Sequence, residues 1–386
     1  MISIAVCGKF HVLNYIPYLH EYGILKHLYM SHKKTTSDNL NINGKFIINY
    51  PIKEYLTQAH GRLLGDFYFN EAQVFYHRIW ENKVIKNFNN TQVLHVLAQG
   101  ACVNLITKAQ NSKNTKILVE VVNTHPLHRL NIMTKEANIW GITPLRTKLL
   151  QRELLLLKEV DKSDALLAPT RFVAETYRKY GYNKDIYVLP YAANTKRFNP
   201  SLFSNINKSD KNKINIISVG QIGLRKGQLY LLRLLEDFEE YINLTLVGSM
   251  DNNVRSSFSK HMHKFTHYNR VPSSDMPEIL AQNDIFISAS IEEGLAVSIC
   301  EAMSMGLAVI ATRESGAEEI IIDGHNGFLF NAGDYDKLAY LLKSLIGSNN
   351  LKNKLSENAI SDTKKFINWE NYSKELIGIY SKLNLV

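Results

Sequence analysis

The sequence of 386 residues is poor in cysteine and contains no long apolar run. Its three cysteines, Cys7, Cys102 and Cys300, are too few and too scattered for a disulfide framework or a zinc cage. No stretch reaches the roughly 18 consecutive apolar residues of a membrane-spanning helix. The first ten residues lack a cationic segment before their short apolar run, so they predict a strand rather than a signal peptide. These absences favour a reducing compartment and predict a cytoplasmic location.

The composition indicates a globular protein with anionic partners. Hydrophobic residues make up 45% and charged residues 21% of the sequence, and about 150 residues per domain predicts two domains. The formal net charge of +9 favours phosphates, nucleic acid or an anionic membrane surface as partners. The charges are dispersed and no nucleic-acid motif is recognisable, so the sequence predicts no nucleic-acid partner.

Short β-branched runs alternate with helical stretches in two parts of the chain. This alternation predicts an α/β fold of two Rossmann-like, doubly wound domains with parallel sheets, whose ligands bind in the cleft at the carboxyl ends of the strands. We expect the first domain over residues 1–195, a polar linker over 196–213, the second domain over 214–365 and an amphipathic docking helix over 366–386. The predicted strands are Ile2–Val6, Phe46–Asn49, Val93–Leu97, Ile117–Val121, Ala165–Ala168, Tyr187–Leu189, Ile214–Val219, Leu244–Val247, Ile285–Ser288, Ala308–Ala311 and Phe328–Phe330.

The usual nucleotide and metal motifs are missing. There is no G-x-G-x-x-G and no P-loop. One Asp-x-Asp triplet, Asp334 to Asp336, is of the kind that binds a divalent cation in metal-dependent sugar transfer. It directly precedes a helical stretch, Lys337–Ile346, so a helix N-cap is the favoured interpretation. We therefore expect no metal site and no cofactor.

The most informative segment is Ser288–Phe330, in which Glu293 and Glu301 stand eight residues apart. A strand ends at the start of this segment and a helix is predicted over Val297–Met305. Two carboxylates beside a phosphate would repel it, so we expect them to bind hydroxyls while the N–H groups at the helix start bind the phosphate. The alternative is two solvated glutamates near a helix start. The N–H groups that would bind the anion are those of Leu295, Ala296, Val297 and Ser298, and Gly294 before them is a further donor-binding candidate.

This segment resembles the retaining glycosyltransferases of family 4, which have the GT-B fold. The matching residues are Glu293-Gly294-Leu295-Ala296-Val297, Glu301-Ala302-Met303, Gly306, Val309-Ile310-Ala311-Thr312 and Asp323-Gly324-His325-Asn326-Gly327-Phe328-Leu329. Leu295 and Ala296 replace the family's Phe and Gly. The resemblance covers nearly all of residues 160–386. It implies that the second domain binds a nucleotide sugar, that the first binds the acceptor, and that the last helix returns to the first domain.

A second match lies in the glycine-rich turn from Val219 to Gly227. The family has Val-Gly-Arg and then Lys-Gly there, and its Arg and Lys neutralise the donor diphosphate. Lys226 matches the family Lys, and Gly220 matches the first Gly. Gln221 replaces the Arg, and the neighbouring Arg225 is the predicted substitute, because a planar guanidinium suits a diphosphate. The alternative is an ordinary strand-to-helix turn.

The first domain carries weaker signals. The resemblance implies that Gly8, after the first strand, lies against the sugars, and that His125, after another strand, lies near the transferred sugar. Lys9 and His11 are further candidates on the acceptor side, and each of these side chains has a purely structural role as its alternative. Basic residues also alternate with leucines over 145–162, which indicates either a core helix or attachment to an anionic membrane. These basic residues are Arg146, Lys148, Arg152, Lys158 and Lys162.

The resemblance implies a metal-independent, retaining glycosyltransferase. It would move a sugar from a nucleoside-diphosphate sugar, with UDP favoured and GDP-mannose as the alternative, to a hydroxyl of a glycan or lipid-linked acceptor. Glu293 would hold donor sugar hydroxyls, Glu301 the ribose, and Arg225 and Lys226 the leaving diphosphate. Bacterial surface polysaccharide assembly at the inner face of the membrane is the expected setting. The competing hypotheses are a phosphate-using GT-B enzyme and a non-catalytic binding or scaffold protein of the same fold.

Overall fold

The computed structural model describes residues 1–8, 10–32, 40, 42–65, 67–112, 114–143, 146–206 and 213–384. Lys9 and Leu145 therefore lie outside the described residues. Over these ranges the strands form two separate parallel sheets, and helices join one strand to the next within each sheet. The predicted α/β fold with two doubly wound sheets is thereby confirmed.

The first sheet has the strand order β3-β2-β1-β4-β5-β6-β7 over the described ranges. Its strands are almost continuously apolar where they are buried on both faces, as in Ile2–Val6 and Val93–Leu97. The strands are β1 Ile2–Val6, β2 Leu25–Met30, β3 Ile47–Asn49, β4 Val93–Leu97, β5 Lys116–Glu120, β6 Ala165–Ala168 and β7 Asp185–Val188. The helices are α1 Val12–Glu21, α2 Ile52–Leu63, α3 Phe69–Asn87, α4 Val103–Gln110, α5 Pro126–Ile139, α6 Gln151–Asp161 and α7 Arg171–Lys179.

The second sheet has the order β10-β9-β8-β11-β12-β13 in the described part of the chain. Its strands are β8 Ile214–Val219, β9 Ile242–Val247, β10 Phe265–Tyr268, β11 Ile285–Ser288, β12 Ala308–Thr312 and β13 Phe328–Phe330. The helices are α8 Gln228–Asp237, α9 Arg255–Ser259, α10 Met276–Ala281, α11 Val297–Ser304, α12 Tyr335–Ile346, α13 Asn349–Lys365 and α14 Trp369–Asn384. The strands β2 and β10 are absent from the sequence prediction, because polar and charged residues interrupt both (LKHLYM and FTHY).

The helix α14 packs on the first sheet's layer of helices rather than on the second sheet. It contacts α1 and β4, and its Tyr380 hydroxyl lies 2.7 Å from Nδ1 of His95 in β4. Phe366 precedes the helix and is 60% exposed, so it lies outside the buried face of α14. The buried side chains of α14 include Trp369, Tyr372, Leu376 and Tyr380. Across the described ranges, no helix has both the length and the apolar character that crossing a membrane requires.

Candidate active site

Two contacts join the loop after β11 to the loop after β5, at the carboxyl ends of both sheets. Glu292 is fully buried, and its Oε1 accepts hydrogen bonds from the backbone N (3.0 Å) and the hydroxyl (2.6 Å) of Thr124. A Cβ on Gly294 would overlap the carbonyl oxygen of Val122, so only glycine fits this close approach. Sequence reasoning missed Glu292, although the acidic pair before Gly294 was a visible signal. The two loops therefore form one site between the sheets.

A cluster of two cations and two carboxylates lies at this site. The Arg225 guanidinium is 3.0 Å from Oε1 of Glu293 and 3.7 Å from Oε2 of Glu292, and it donates to the Glu292 carbonyl at 3.2 Å. The Lys226 ammonium contacts the other oxygen of Glu293. The structure thus brings together Arg225, Lys226 and Glu293, which the sequence placed in two distant motifs.

Mutual attraction favours the ionised forms of Glu293 and Arg225. Burial acts to raise the pKa of Glu293, but Lys226 and Arg225 outweigh it and hold the pKa below its usual value. Burial likewise acts to lower the pKa of Arg225, yet Glu293 and Glu292 raise it above the usual value. The formal charges of the cluster cancel. A diphosphate that binds Arg225 and Lys226 must therefore compete with Glu293 for both.

Two further residues of the glycine-rich turn differ in their relation to the cluster. Gly220 lies beside Lys226, whereas Gln221 contacts a residue outside the cluster. A Cβ at Gly220 would lie only 3.0 Å from Cε of Lys226, so glycine leaves room for that side chain. Gln221 is exposed, and its side-chain amide donates to Asp251 instead of joining the cluster. The position that carries the family arginine therefore points its side chain to a different partner here.

The helix α11 begins directly after the cluster. Its preceding residue, Ala296, provides no side-chain cap, so the first-turn N–H groups at Val297 and Ser298 have no partner from a capping side chain. The N–H of Ala296 itself donates to the carbonyl of Ser315 at 3.3 Å, and Leu295 is buried at 4% exposure. Among the predicted backbone donors, Val297 and Ser298 are therefore better placed than Ala296 to meet an anion.

Glu301 lies in the second turn of α11. Within the described part of the chain, its carboxylate has no hydrogen bond or ion pair, and the residue is half-buried. Burial raises its pKa to about 7, while the nearby Arg197 acts in the opposite direction. A carboxyl group of this kind, desolvated and without a protein donor, is suited to accept hydrogen bonds from a diol.

We expect Glu301→Ala to weaken the binding of free UDP by about 1–3 kcal/mol, the range for lost hydrogen bonds to a charged group. The reason is that Glu301 is predicted to accept from both ribose hydroxyls. Isothermal titration calorimetry with UDP measures the effect, and Glu357→Ala, an exposed glutamate of α13, is the matched control. Unchanged UDP affinity in Glu301→Ala would remove this residue from the site.

His125 makes structural contacts within its own domain. Its Nδ1 accepts from the backbone N of Leu127 at 3.2 Å, so the imidazole caps α5. The ring stacks on Tyr180 with 4.4 Å between centroids, and its backbone N donates to Thr176. Burial, His128 and Arg129 lower its pKa to about 4, so the ring is neutral at pH 7. A contact between His125 and the transferred sugar stays a prediction.

The acceptor-side candidates separate in the structure. Gly8 has a φ of +137° and lines a cavity of about 380 Å³ at the carboxyl ends of β1, β4 and β5. His11 instead points into the protein interior, where its Nε2 is 2.7 Å from Oε1 of the buried Glu120. Glu120 also lies 3.2 Å from His95 and accepts from the Tyr191 hydroxyl at 3.1 Å. The structure therefore places His11 in a buried network and does not bring it to the cavity.

The described part of the basic segment, residues 146–162, forms α6 and the chain before it. Glu153 and Glu159 are buried, whereas Leu154 is 43% exposed, so the helix is neither a fully buried core helix nor one with a wholly exposed apolar face. Membrane contact through this segment stays a prediction.

The Asp-x-Asp triplet is part of a helix start. The carboxylate of Asp334 accepts from the backbone N of Lys337 at 3.0 Å and caps α12, which confirms the predicted N-cap. The described residues contain no group of three or more His, Cys, Asp or Glu side chains that could hold a metal ion.

Comparisons with known proteins relate part of the chain to a family. Residues 201–362 match the model of glycosyl transferases group 1. An uncharacterized glycosyltransferase of Methanocaldococcus jannaschii is 29% identical over 186 residues, which are 46% of this chain and 47% of that protein. The lipopolysaccharide core biosynthesis glycosyltransferase LpsE of Rhizobium meliloti is 25% identical over 206 residues, 50% of this chain and 57% of the relative. The chain thus spans about half the length of the curated relatives it matches.

A solved structure matches over nearly the whole chain. Anabaena HepE in complex with UDP and glucose has a TM-score of 0.70 at 14% identity, covering 99% of this chain and 100% of that one. At this identity the likeness establishes the GT-B fold. Residues 201–362 therefore match the glycosyl transferases group 1 family, and the whole chain has the GT-B fold.

Proposed function

We propose that the protein is a retaining glycosyltransferase of family 4. It transfers a sugar from a nucleoside-diphosphate sugar to a hydroxyl of a glycan or lipid-linked acceptor. The observation that carries this proposal is the convergence of Arg225, Lys226 and Glu293 beside the start of α11, between the two sheets. A UDP-sugar is the favoured donor, with GDP-mannose as the alternative, and polysaccharide assembly at the bacterial surface is the favoured setting, because relatives of that kind match the chain.

The chemistry follows from where charge develops. As the glycosidic bond breaks, negative charge grows on the leaving diphosphate, and Arg225, Lys226 and the first N–H groups of α11 stabilise it. Glu293 then exchanges its cation partners for hydroxyls of the donor sugar. The leaving phosphate accepts the proton of the attacking hydroxyl, so no protein nucleophile is assigned. The close approach of Gly294 to Val122 limits water access to the reacting atoms.

A thermal-shift screen with UDP-, GDP- and ADP-sugars tests the donor class, because a ligand that binds the native state raises the melting temperature. The transfer product, followed by proton NMR, then reports whether the anomeric configuration is retained. Turnover that requires inorganic phosphate in place of a nucleotide sugar would favour the phosphate-using alternative. Binding of sugars without any turnover would favour the non-catalytic scaffold.

We expect sugar transfer to survive millimolar EDTA with a rate unchanged within about twofold. The proposed site stabilises the diphosphate with Arg225, Lys226 and backbone N–H groups, and these need no divalent cation. Initial rates with and without EDTA, and with added Mg²⁺ or Mn²⁺, make the measurement. Complete loss in EDTA with rescue by either metal would show that the Asp334 triplet has a role beyond helix capping.

A further inference from the structure

Charged side chains line the cavity beside Gly8, and none of them takes part in the proposed binding of the donor. It occupies about 380 Å³ and is bounded by the ends of β1, β4 and β5 and by α2, α3 and α6. Its wall includes Thr124, which bonds to Glu292, and Glu292 in turn adjoins Arg225. The cavity therefore lies next to the proposed diphosphate site. Its charged lining residues are Lys53, Glu54, Arg129, Arg152 and Glu153.

Protein partners already satisfy both carboxylates of this lining. Glu153 accepts from Arg129 at 2.6 Å, from the guanidinium of Arg146, and from the backbone N of Leu150 at 2.9 Å. These partners lower the pKa of Glu153 to about 2 against the opposing effect of burial. Lys53 and Glu54 form a second pair at 3.0 Å. Neither acid is left to neutralise a further cation.

Arg152 is the cation of the cavity lining that takes no part in these ion pairs. In the described part of the chain its guanidinium has no ion pair and no hydrogen bond, although the side chain lines the cavity. Desolvation, Arg129 and Arg146 lower its pKa below the usual value, whereas Glu153 acts in the opposite direction. The guanidinium groups of Arg129 and Arg146 thus repel that of Arg152, and the carboxylate of Glu153 attracts it. An anion in the cavity would relieve this repulsion.

The backbone that carries Arg152 is held rigidly. Seven residues further along α6, the fully buried Glu159 accepts from four successive backbone N–H groups after β4, those of Gln99 to Cys102, at 2.6–2.9 Å. A Cβ at Gly100 would overlap the carbonyl oxygen of Arg152, so the two segments are in close contact. The backbone of Arg152 is therefore fixed by a helix–loop contact, while its side chain is exposed at the edge of the cavity.

Neutral polar groups complete the cavity. His77 is 4% exposed, and its Nδ1 is a buried nitrogen without a hydrogen-bond partner in the described residues. Burial, Lys53 and Arg152 lower its pKa to about 3, so the imidazole is uncharged at pH 7. The amide of Asn123 also lines the cavity. An unpaired imidazole nitrogen and an amide suit sugar hydroxyls, and Arg152 suits an anionic substituent on the same sugar.

We propose that this cavity binds an acceptor sugar that carries an anionic group, a phosphate or a carboxylate, and that Arg152 holds that group. The inference rests on the proposed function, since it names the acceptor class of the same enzyme. A carboxylate and a phosphate can each present two oxygens to one guanidinium, which binds either group in a bidentate manner. The experiment distinguishes a bound phosphate from a bound carboxylate.

The experiment measures saturation-transfer NMR binding of glucose, glucose 6-phosphate and glucuronate, together with UDP affinity on the same samples. The variant is Arg152→Gln, and the matched control is Lys158→Gln, an exposed cation on the same helix. We expect at least one anionic sugar to bind about tenfold more tightly than glucose, and Arg152→Gln to abolish that preference. The preference between the two anionic sugars identifies phosphate or carboxylate as the group bound.

Each outcome decides between the hypotheses. Equal or undetectable binding of all three sugars, with UDP still bound, overturns the anionic acceptor and leaves the proposed donor site intact. An anionic preference that persists in Arg152→Gln, or that Lys158→Gln also removes, overturns the role of Arg152. If the unmodified protein binds neither UDP nor GDP, that result contradicts the proposed function itself.

Discussion

We expect Lys226→Ala to lower kcat for sugar transfer about a hundredfold or more, with a much smaller effect on donor binding. The Lys226 ammonium lies against Glu293 beside Arg225, where the proposed mechanism needs positive charge. Charge that grows in the transition state depends on such a group more than the bound ground state does, so kcat falls more than affinity. One preorganised donor of this kind contributes about 2.7–4 kcal/mol. Steady-state kinetics and calorimetric UDP binding measure the two quantities separately.

The neighbouring arginine is tested in the same assay. Arg225→Ala should also be impaired, and adding Gln221→Arg should restore part of the rate if the cation has moved along the turn. Lys264→Ala, which removes only the surface pair with Glu239, is the control and should transfer normally. Normal transfer by Arg225→Ala beside an inactive Lys226→Ala would mean that the lysine works alone. Melting temperatures of all variants separate lost chemistry from lost folding.

Glu120→Leu should lower the free energy of unfolding by about 3–5 kcal/mol, the cost of removing one partner from a buried charged network. The carboxylate is 1% exposed and touches His11, His95 and Tyr191. Without it, the two imidazoles and the Tyr191 hydroxyl lose their common partner in the interior. Urea denaturation at pH 7 measures the loss, and Glu357→Leu on the surface of α13 controls for the change of residue type.

The same network predicts the direction in which the stability of the fold changes with pH. Burial acts to raise the pKa of Glu120, but His11 and His95 outweigh it and hold the pKa well below its usual value. A depressed carboxyl pKa contributes stability that is complete above the unfolded pKa, about 4.3, and is lost as pH falls further. The unmodified protein should therefore lose more stability between pH 6 and pH 3 than Glu120→Gln does. Equal pH slopes in the two proteins would contradict an ionised Glu120 in the folded state.

Local motifs explain which parts of the site were predictable. Glu293, Glu301 and Lys226 stand at fixed spacings beside a strand end and a helix start, and the resemblance to family 4 glycosyltransferases predicts that they bind one ligand. Glu292 and Glu120 depend on partners far away in the chain, Thr124 and His95, and no local pattern announces such pairs. His11 follows a strand, as ligand-binding residues in such folds often do. In the structure, however, its imidazole contacts the buried carboxylate of Glu120.

The sequence predicted those strands that are continuous apolar runs, because such runs indicate strands buried on both faces. The central strands β1, β4, β8 and β11 are such runs, and the prediction located them closely. The strands β2 and β10 lie further out and carry Lys26, His27 and His267 among their apolar residues, so their alternation is too weak to read. In β2 only Lys26 and His27 are half-buried, whereas in the edge strand β10 three of the four residues are not buried.

The position of α14 sets the order in which this protein can fold during synthesis. Trp369, Tyr372 and Leu376 belong to the same buried cluster as Tyr15 and Leu19 of α1, so the first sheet's outer layer lacks part of its core until residues 369–384 leave the ribosome. By then every strand of the second sheet, from 214 to 330, has already emerged. Domains generally fold in the order of their synthesis. Here the domain that is begun first is completed last, and the nascent chain must keep an unfinished apolar surface of α1 from aggregating in the interval.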